Sequence, residues 1–162
     1  MKGSTAERIA LEVLSHDHID HYLSVFSQAV REVLRVESVE SERVYLQHVQ
    51  QELGTYFFCI FTRDERKLIG AIAIRDAQVY SGQLYCWLHE EYWGSGYFQQ
   101  ALIMAAQIYF ASTNQAYFTA RVDCNNMRSY RALKKCGFAD VGRVCGGYCM
   151  QFELVLRRQR VL

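Results

Sequence analysis

Glu91-Tyr92-Trp93-Gly94-Ser95-Gly96-Tyr97-Phe98 holds two glycines directly after an apolar β-like run and directly before a helical pattern. Glycine lets backbone amides come close to a ligand. A helix start offers unpaired N–H groups and the positive end of a dipole, which suits a phosphate or pyrophosphate. An ordinary strand-to-helix turn would use the same residues, and a glycine pattern alone does not separate the two. No Gly-Lys-Ser/Thr follows, so it is not a P-loop. The second stretch, Asn126-Met127-Arg128-Ser129 through Gly137-Phe138, reads alone as a short helix. Asn126 and Ser129 are then local caps, and Gly137 is the stop.

A third stretch, SHDHIDH, sets His16, His18, Asp20 and His21 in the spacing H-x-H-x-D-H. Imidazole and carboxylate are good zinc ligands. The spacing resembles the zinc motif of the metallo-β-lactamase superfamily. A two-metal site of that kind needs further histidine and aspartate ligands downstream. Only His48 and His89 remain, and no histidine follows position 89. The same residues open a strongly periodic helix. The expectation is therefore no functional metal, with Ser15 capping a first helix whose exposed side carries His16, Asp17 and Asp20.

The elements around these stretches follow from periodicity. Ile9 to Leu14 reads as a first strand. From Ile19 to Leu34 the apolar residues keep helical spacing for four turns. A second helix is expected from Ser41 to Leu53, stopped by Gly54. Tyr56–Thr62 and Leu68–Ile74 flank the polar turn Arg63-Asp64-Glu65-Arg66 as a hairpin. Gln83–His89 is a third strand after a Ser81-Gly82 turn. The glycine elbow opens a helix to Ser112. Ala116–Val122 is a strand, Asn126–Cys136 a helix, and Cys145–Leu156 a last strand. The order β-α-α-β-β-β-α-β-α-β gives a mixed α/β (α+β) domain over residues 1–162.

Composition narrows the function. The chain has 162 residues and a net charge of +1, from 18 basic and 17 acidic residues. That balance carries no electrostatic footprint for nucleic acid. No apolar run approaches the roughly 18 residues of a membrane span, and MKGSTAERIALEV lacks the apolar core of a signal peptide. The six cysteines form no C-x-x-C pair and read as buried free thiols in a reducing cytoplasm. Proline is absent, so turns rest on Gly, Asn, Asp and Ser.

Three motifs in order carry a family likeness. They are Leu68-Ile69-Gly70, then Leu88 to Tyr97 through the elbow, then Asn126-x-x-Ser129 with Lys135-Cys136-Gly137-Phe138. Together they resemble the GCN5-related N-acetyltransferase (GNAT) family, nearest to the branch of ribosomal-protein N-terminal acetyltransferases. The resemblance implies a mixed, mostly antiparallel central sheet, splayed at the cofactor site and flanked by about four helices. It implies acetyl-CoA as acetyl donor. The pyrophosphate would lie on backbone amides of Gly94, Ser95, Gly96, Tyr97, Phe98 and Gln99. The pantetheine arm would pair with Trp87 and Leu88, and Asn126 would contact its side. Trp93 takes the first place of the family pattern Q/R-x-x-G-x-G/A, and Phe98 stands last, where a small residue is usual. The first helix would border the acceptor groove, so the histidines there are read as acceptor-side surface.

Acetyl transfer to an amine needs a proton acceptor and, for the leaving thiolate, a donor. Many relatives use a tyrosine seven residues after the motif asparagine and a glutamate on the preceding strand. Leu133 and Arg121 stand there in this chain. The remaining candidates are Ser129, Glu91 and His89, with Glu90, Tyr85 and Tyr130 as further polar groups. Each also has a plain structural reading: capping for Ser129, solvated loop charge for His89, Glu90 and Glu91, and packing for Tyr85 and Tyr130. The expected activity is direct attack of a primary amine, from a protein N-terminus or a small molecule, on the acetyl thioester. The alternative is an inert module that holds CoA or acyl-CoA. Monomer and homodimer both remain open.

Overall fold

The computed structural model describes residues 7–75, 82–147 and 149–162. Among them lie seven strands and five helices. In chain order these are β1 (Ile9–Val13), α1 (Ile19–Val25), α2 (Gln28–Leu34), α3 (Val39–Val49), β2 (Thr55–Thr62), β3 (Leu68–Arg75) and β4 (Gly82–Leu88). They continue with α4 (Tyr97–Ser112), β5 (Tyr117–Asp123), α5 (Met127–Lys135), β6 (Ala139–Cys145) and β7 (Met150–Arg157). The strands form one sheet in the order β1-β2-β3-β4-β5-β7-β6. All neighbours are antiparallel except β4 and β5, which run parallel.

That parallel pair holds the key feature. β4 and β5 pair only at Gly82–Phe118 and Gln83–Thr119. Beyond those positions the strands diverge, and a gap opens between Leu84–Leu88 and Ala120–Asp123. This is the mixed, mostly antiparallel, splayed sheet that the resemblance implies.

Each face of the sheet has its own core. α4 buries Ala101, Leu102, Ala105, Ala106, Tyr109 and Phe110 on one face. Leu84 and Leu88 of β4 reach that side. α1 to α3 bury Ile19, Tyr22, Leu23, Phe26, Val30 and Leu46 on the other, where Trp87 and Tyr85 point. The alternation along β4 follows from the period of two in a strand. No helix among the described residues is long and apolar enough to cross a membrane.

Several expectations need correction. The helix expected over residues 19–34 is two helices. Phe26 leaves helical geometry at ψ 81°, and the Ser27 hydroxyl accepts the Val30 N–H at 3.2 Å to start α2. The apolar spacing runs on in phase across the break, so periodicity cannot register it. The last strand is Met150–Arg157, and a strand not expected, β6 at Ala139–Cys145, precedes it and pairs with it as a hairpin. β6 carries no fully buried side chain, which left it without an apolar signature. The second helix is Val39–Val49 rather than Ser41–Leu53, and starts at a Ser38–Ser41 capping box. Ser15 precedes a 3-10 turn at His16–His18, not α1 itself. Ser81 lies outside the described residues. Of the six free cysteines only Cys59 is fully buried, and Cys145 is exposed.

Candidate active site

The gap between β4 and β5 opens into a cleft of about 680 Å³. Its walls are β4, β5, the glycine turn, the first turn of α5 and, across the opening, Val30, Val33, Leu34 and Arg35 from α2.

At one end sits the start of α4. Gly94 and Gly96 have φ of +75° and +83°, a backbone region that glycine enters without a Cβ penalty. Gly96 is the N-cap and has no side chain to satisfy the helix amides. The first amides of a helix have no intrahelical acceptor, so those of Tyr97, Phe98 and Gln99 remain open to an outside anion. Gly94, Ser95 and Gly96 are all exposed. A Cβ on Gly94 would meet nothing within 4 Å, so there is free space beside the turn. Phe98 fits half-buried against the α4 core while still lining the cleft.

Two cations flank this turn, and neither drew notice in the sequence. The Arg8 guanidinium donates to the Ser95 carbonyl and lies 4.2 Å from the Tyr97 ring centroid. Arg128 stacks 3.4 Å from the Trp93 ring centroid and lines the cleft. Burial lowers the Arg128 pKa. Only spatial proximity marks these two; their sequence neighbours give no cue.

Along β4 the backbone splits into two sets. The His89 N–H donates to the Ile69 carbonyl at 2.8 Å. Strand alternation then turns Trp87 toward β3 as well, and turns Leu88 and Cys86 toward the gap. A Cβ on Gly70 would lie 2.2 Å from the Trp87 carbonyl oxygen, which agrees with this direction. The Leu88 carbonyl accepts the Trp93 indole N–H at 2.8 Å. The Leu88 backbone therefore faces the gap. The Trp87 backbone does not, and its indole instead donates to Tyr22 Oη at 2.7 Å. The Cys86 thiol is pushed up to about 12 by burial, so it stays protonated and is no nucleophile.

Asn126 and Ser129 meet at the far side. The Asn126 carbonyl oxygen accepts the Ser129 N–H at 3.2 Å, and its amide donates to Ser129 Oγ at 3.1 Å. The pair caps α5, and both residues line the cleft. With Oγ already accepting, the Ser129 proton is left to donate. Leu133 lines the cleft but has no polar atom. The Tyr130 hydroxyl donates to Asp140 at 2.9 Å, which removes it from consideration. Arg121 lies in the cleft, 3.6 Å from Glu153 on the adjacent β7. Arg35 bridges the opening to Asp123 at 2.6 Å.

His89 and Glu91 fall elsewhere. Both line a second, smaller cavity of about 360 Å³ together with His21, Arg66 and Lys67. The His89 ring nitrogen accepts the Glu91 N–H at 3.3 Å, as a local cap. Glu90 accepts the Ser27 hydroxyl at 2.6 Å, a bond that lowers its pKa and ties α2 to the end of β4. The three histidines of SHDHIDH do not converge. His18 faces Glu12 at 3.3 Å, and His21 lies edge-on to Phe61. Among the described residues no group of three or more potential ligands is positioned to hold a metal. None of the three lines the cleft; α2 borders it instead.

The splayed sheet, the helix start without a side-chain cap at its gap and the cleft between β4 and β5 suit an acyl-CoA-dependent transferase. The profile of the family described as "Acetyltransferase (GNAT) domain" matches residues 8–139, and the chain belongs to that family. No curated protein sequence matches the chain. Solved structures that share its fold include the following three. An acetyltransferase of the GNAT family from Bacillus anthracis is 17% identical, covers 96% of this chain and 98% of its own, and has a TM-score of 0.79. A spermidine N-acetyltransferase from Vibrio cholerae, solved with CoA and spermine, is 14% identical over 95% and 98%, with a TM-score of 0.78. A Vibrio cholerae protein assigned as a ribosomal-protein-serine acetyltransferase is 17% identical over 94% and 95%, with a TM-score of 0.79.

Proposed function

We propose that this acetyltransferase moves the acetyl group of acetyl-CoA to a primary amine by direct attack, with both substrates held in the one cleft. The observation that carries the reading is the glycine-capped start of α4 beside the gap where β4 leaves β5. An anionic pyrophosphate suits the open amides of Gly96, Tyr97, Phe98 and Gln99 and the free space beside Gly94 and Ser95. Arg8 and Arg128 add positive charge there. An amide-rich arm suits the unpaired edge of β4, at Leu88 and Cys86 rather than at Trp87. Asn126 flanks that arm.

When bound, acetyl-CoA supplies the activated thioester. The residues of this chain do the rest. The apolar walls from Val30, Val33 and Leu34 exclude water, which favours aminolysis over hydrolysis. The protonated Cys86 argues against an acyl-cysteine step. The Ser129 hydroxyl, polarised by the Asn126 amide, relays a proton: its O–H proton passes to the departing sulfur as it takes up the N–H proton that the attacking nitrogen loses, so serine and thiol both end neutral. The acceptor reaches the reacting carbon from the α2 side. Two ion pairs lie there, Arg35–Asp123 and Arg121–Glu153. A cationic amine can compete for either carboxylate. Spermidine, the acceptor named for one structural relative, is an amine of this kind.

Arg128→Ala is expected to raise KM for acetyl-CoA about three- to tenfold with kcat nearly unchanged, as for loss of one charge-assisted contact. Steady-state kinetics at varied acetyl-CoA checks this. The function itself is tested by thiol release from acetyl-CoA with spermidine, a short peptide with a free amino terminus and an aminoglycoside. Amine-dependent release is expected. CoA binding without release under any amine would favour the inert module instead.

A further inference from the structure

One carboxylate is buried away from the cleft among hydroxyl groups. Glu42 on α3 is only 3% exposed. Among the described residues no Lys, Arg or His side chain is within ion-pair distance of it. Instead two hydroxyls converge on its Oε1. Tyr22 donates from α1 at 2.7 Å and Tyr85 donates from β4 at 2.9 Å. Tyr22 in turn accepts the Trp87 indole N–H. Of the three oxygen-bearing members of this network, one opens to the cleft. Tyr85 lines it, whereas Glu42 and Tyr22 do not.

We propose that Tyr85 and Glu42 form the proton exit of the reaction, Tyr85 receiving the proton of the acceptor ammonium and Glu42 storing its equivalent behind. This rests on the acetyl-transfer reading above. In the step, an ammonium N–H bond breaks and its proton bonds to Tyr85 Oη. The original Tyr85 O–H bond breaks, and that proton bonds to Glu42 Oε1. A neutral amine, a neutral phenol and a neutral carboxylic acid result. No ion remains buried, and no other reactant is needed. After release of product the two hops reverse and the proton leaves through the cleft.

The surroundings of Glu42 favour this use. Burial raises its pKa, against the two hydroxyl bonds that lower it, so the carboxylate is a stronger base than an exposed glutamate. The groups facing it are Tyr22 from α1, Tyr85 from β4 and Tyr45 from its own helix, and burial holds all three phenols above their ordinary range. None of them ionises in its place. Its position in the first turn of α3 lets it remain anionic before the step.

The pH dependence of kcat/KM for the amine tests the proposal. With the exit intact, the ammonium form reacts and the profile is flat between the Glu42 acid limb and the amine pKa. Glu42→Gln keeps the shape and still accepts both hydroxyls. It should lose about a hundredfold or more at pH 7. Its rate should climb about tenfold per pH unit toward the amine pKa near 10.4, because only free amine then reacts. Tyr85→Phe should match it, and the double variant should be no worse, as for groups acting as a unit. Tyr22→Phe should stay within about threefold of wild type, since Tyr22 does not reach the cleft. KM for acetyl-CoA should hold in all four. Glu42→Gln with wild-type rate and profile overturns the proposal, as does equal loss in Tyr22→Phe and Tyr85→Phe. Absence of amine-dependent release from the wild type overturns the acetyl-transfer reading, and this proposal with it.

Discussion

Gly70→Ala is expected to lower the melting temperature by about 6–12 °C, the consequence of a cost near 3 kcal/mol in a chain of this size. The same variant should bind acetyl-CoA more weakly. Gly70 is not in a left-handed conformation, so alanine suits its backbone; its neighbours do not admit it. A Cβ there would stand 2.2 Å from the Trp87 carbonyl oxygen, 2.8 Å from Leu88 Cδ2 and 3.0 Å from Leu88 Cα. Two of these three atoms are backbone, so no rotamer change relieves the contact. β4 itself must move away from β3. The displaced residues include Leu88, whose backbone faces the gap. Fold stability and cofactor affinity therefore fall together. Thermal denaturation and an acetyl-CoA titration of the one variant check both. A melting temperature within about 2 °C of wild type would mean that β3 and β4 are less tightly apposed than described.

Gly96→Asp should separate the two effects. Aspartate enters the left-handed region more readily than most residues, and among the described residues the atom within 4 Å of its Cβ would be Arg8 Nη2 at 3.1 Å, the far end of a long side chain. Loss of fold stability should stay within about 1–2 kcal/mol. The carboxylate, however, would stand at the helix start where the pyrophosphate is proposed to sit. Two unit charges about 4 Å apart near a protein surface repel by several kcal/mol before screening. Acetyl-CoA affinity should fall at least about a hundredfold, or about 2.7 kcal/mol. Calorimetric titration of the folded variant measures it. Affinity within about threefold of wild type would move the anion site away from α4.

The sequence readings succeeded where a motif is local and failed where a contact is distant. Gly94-Ser95-Gly96 precedes its own helix, so strand, turn and helix start could be read in one stretch. The Asn126–Ser129 cap is equally local. Trp87 and Leu88 are adjacent in sequence, but pairing with β3 assigns their backbones to opposite sides. That register depends on residues 68–75 and is invisible at 87–88. Ser27 caps α2, but the apolar spacing of Phe26 and Val30 stays in phase across the break and hides it in the sequence. β6 is an edge strand with no buried side, and periodicity has nothing to detect in it. Glu42 reads in sequence as one more charge on a helix rich in them. Only the packing of α3 on α1 and β4 gives it two phenols and removes it from water.

Calorimetric titration of acetyl-CoA into the wild-type protein reports on the cofactor site at the start of α4. One site per chain with micromolar or tighter affinity is the predicted result. A folded protein with a cooperative melt and no heat of binding would contradict it.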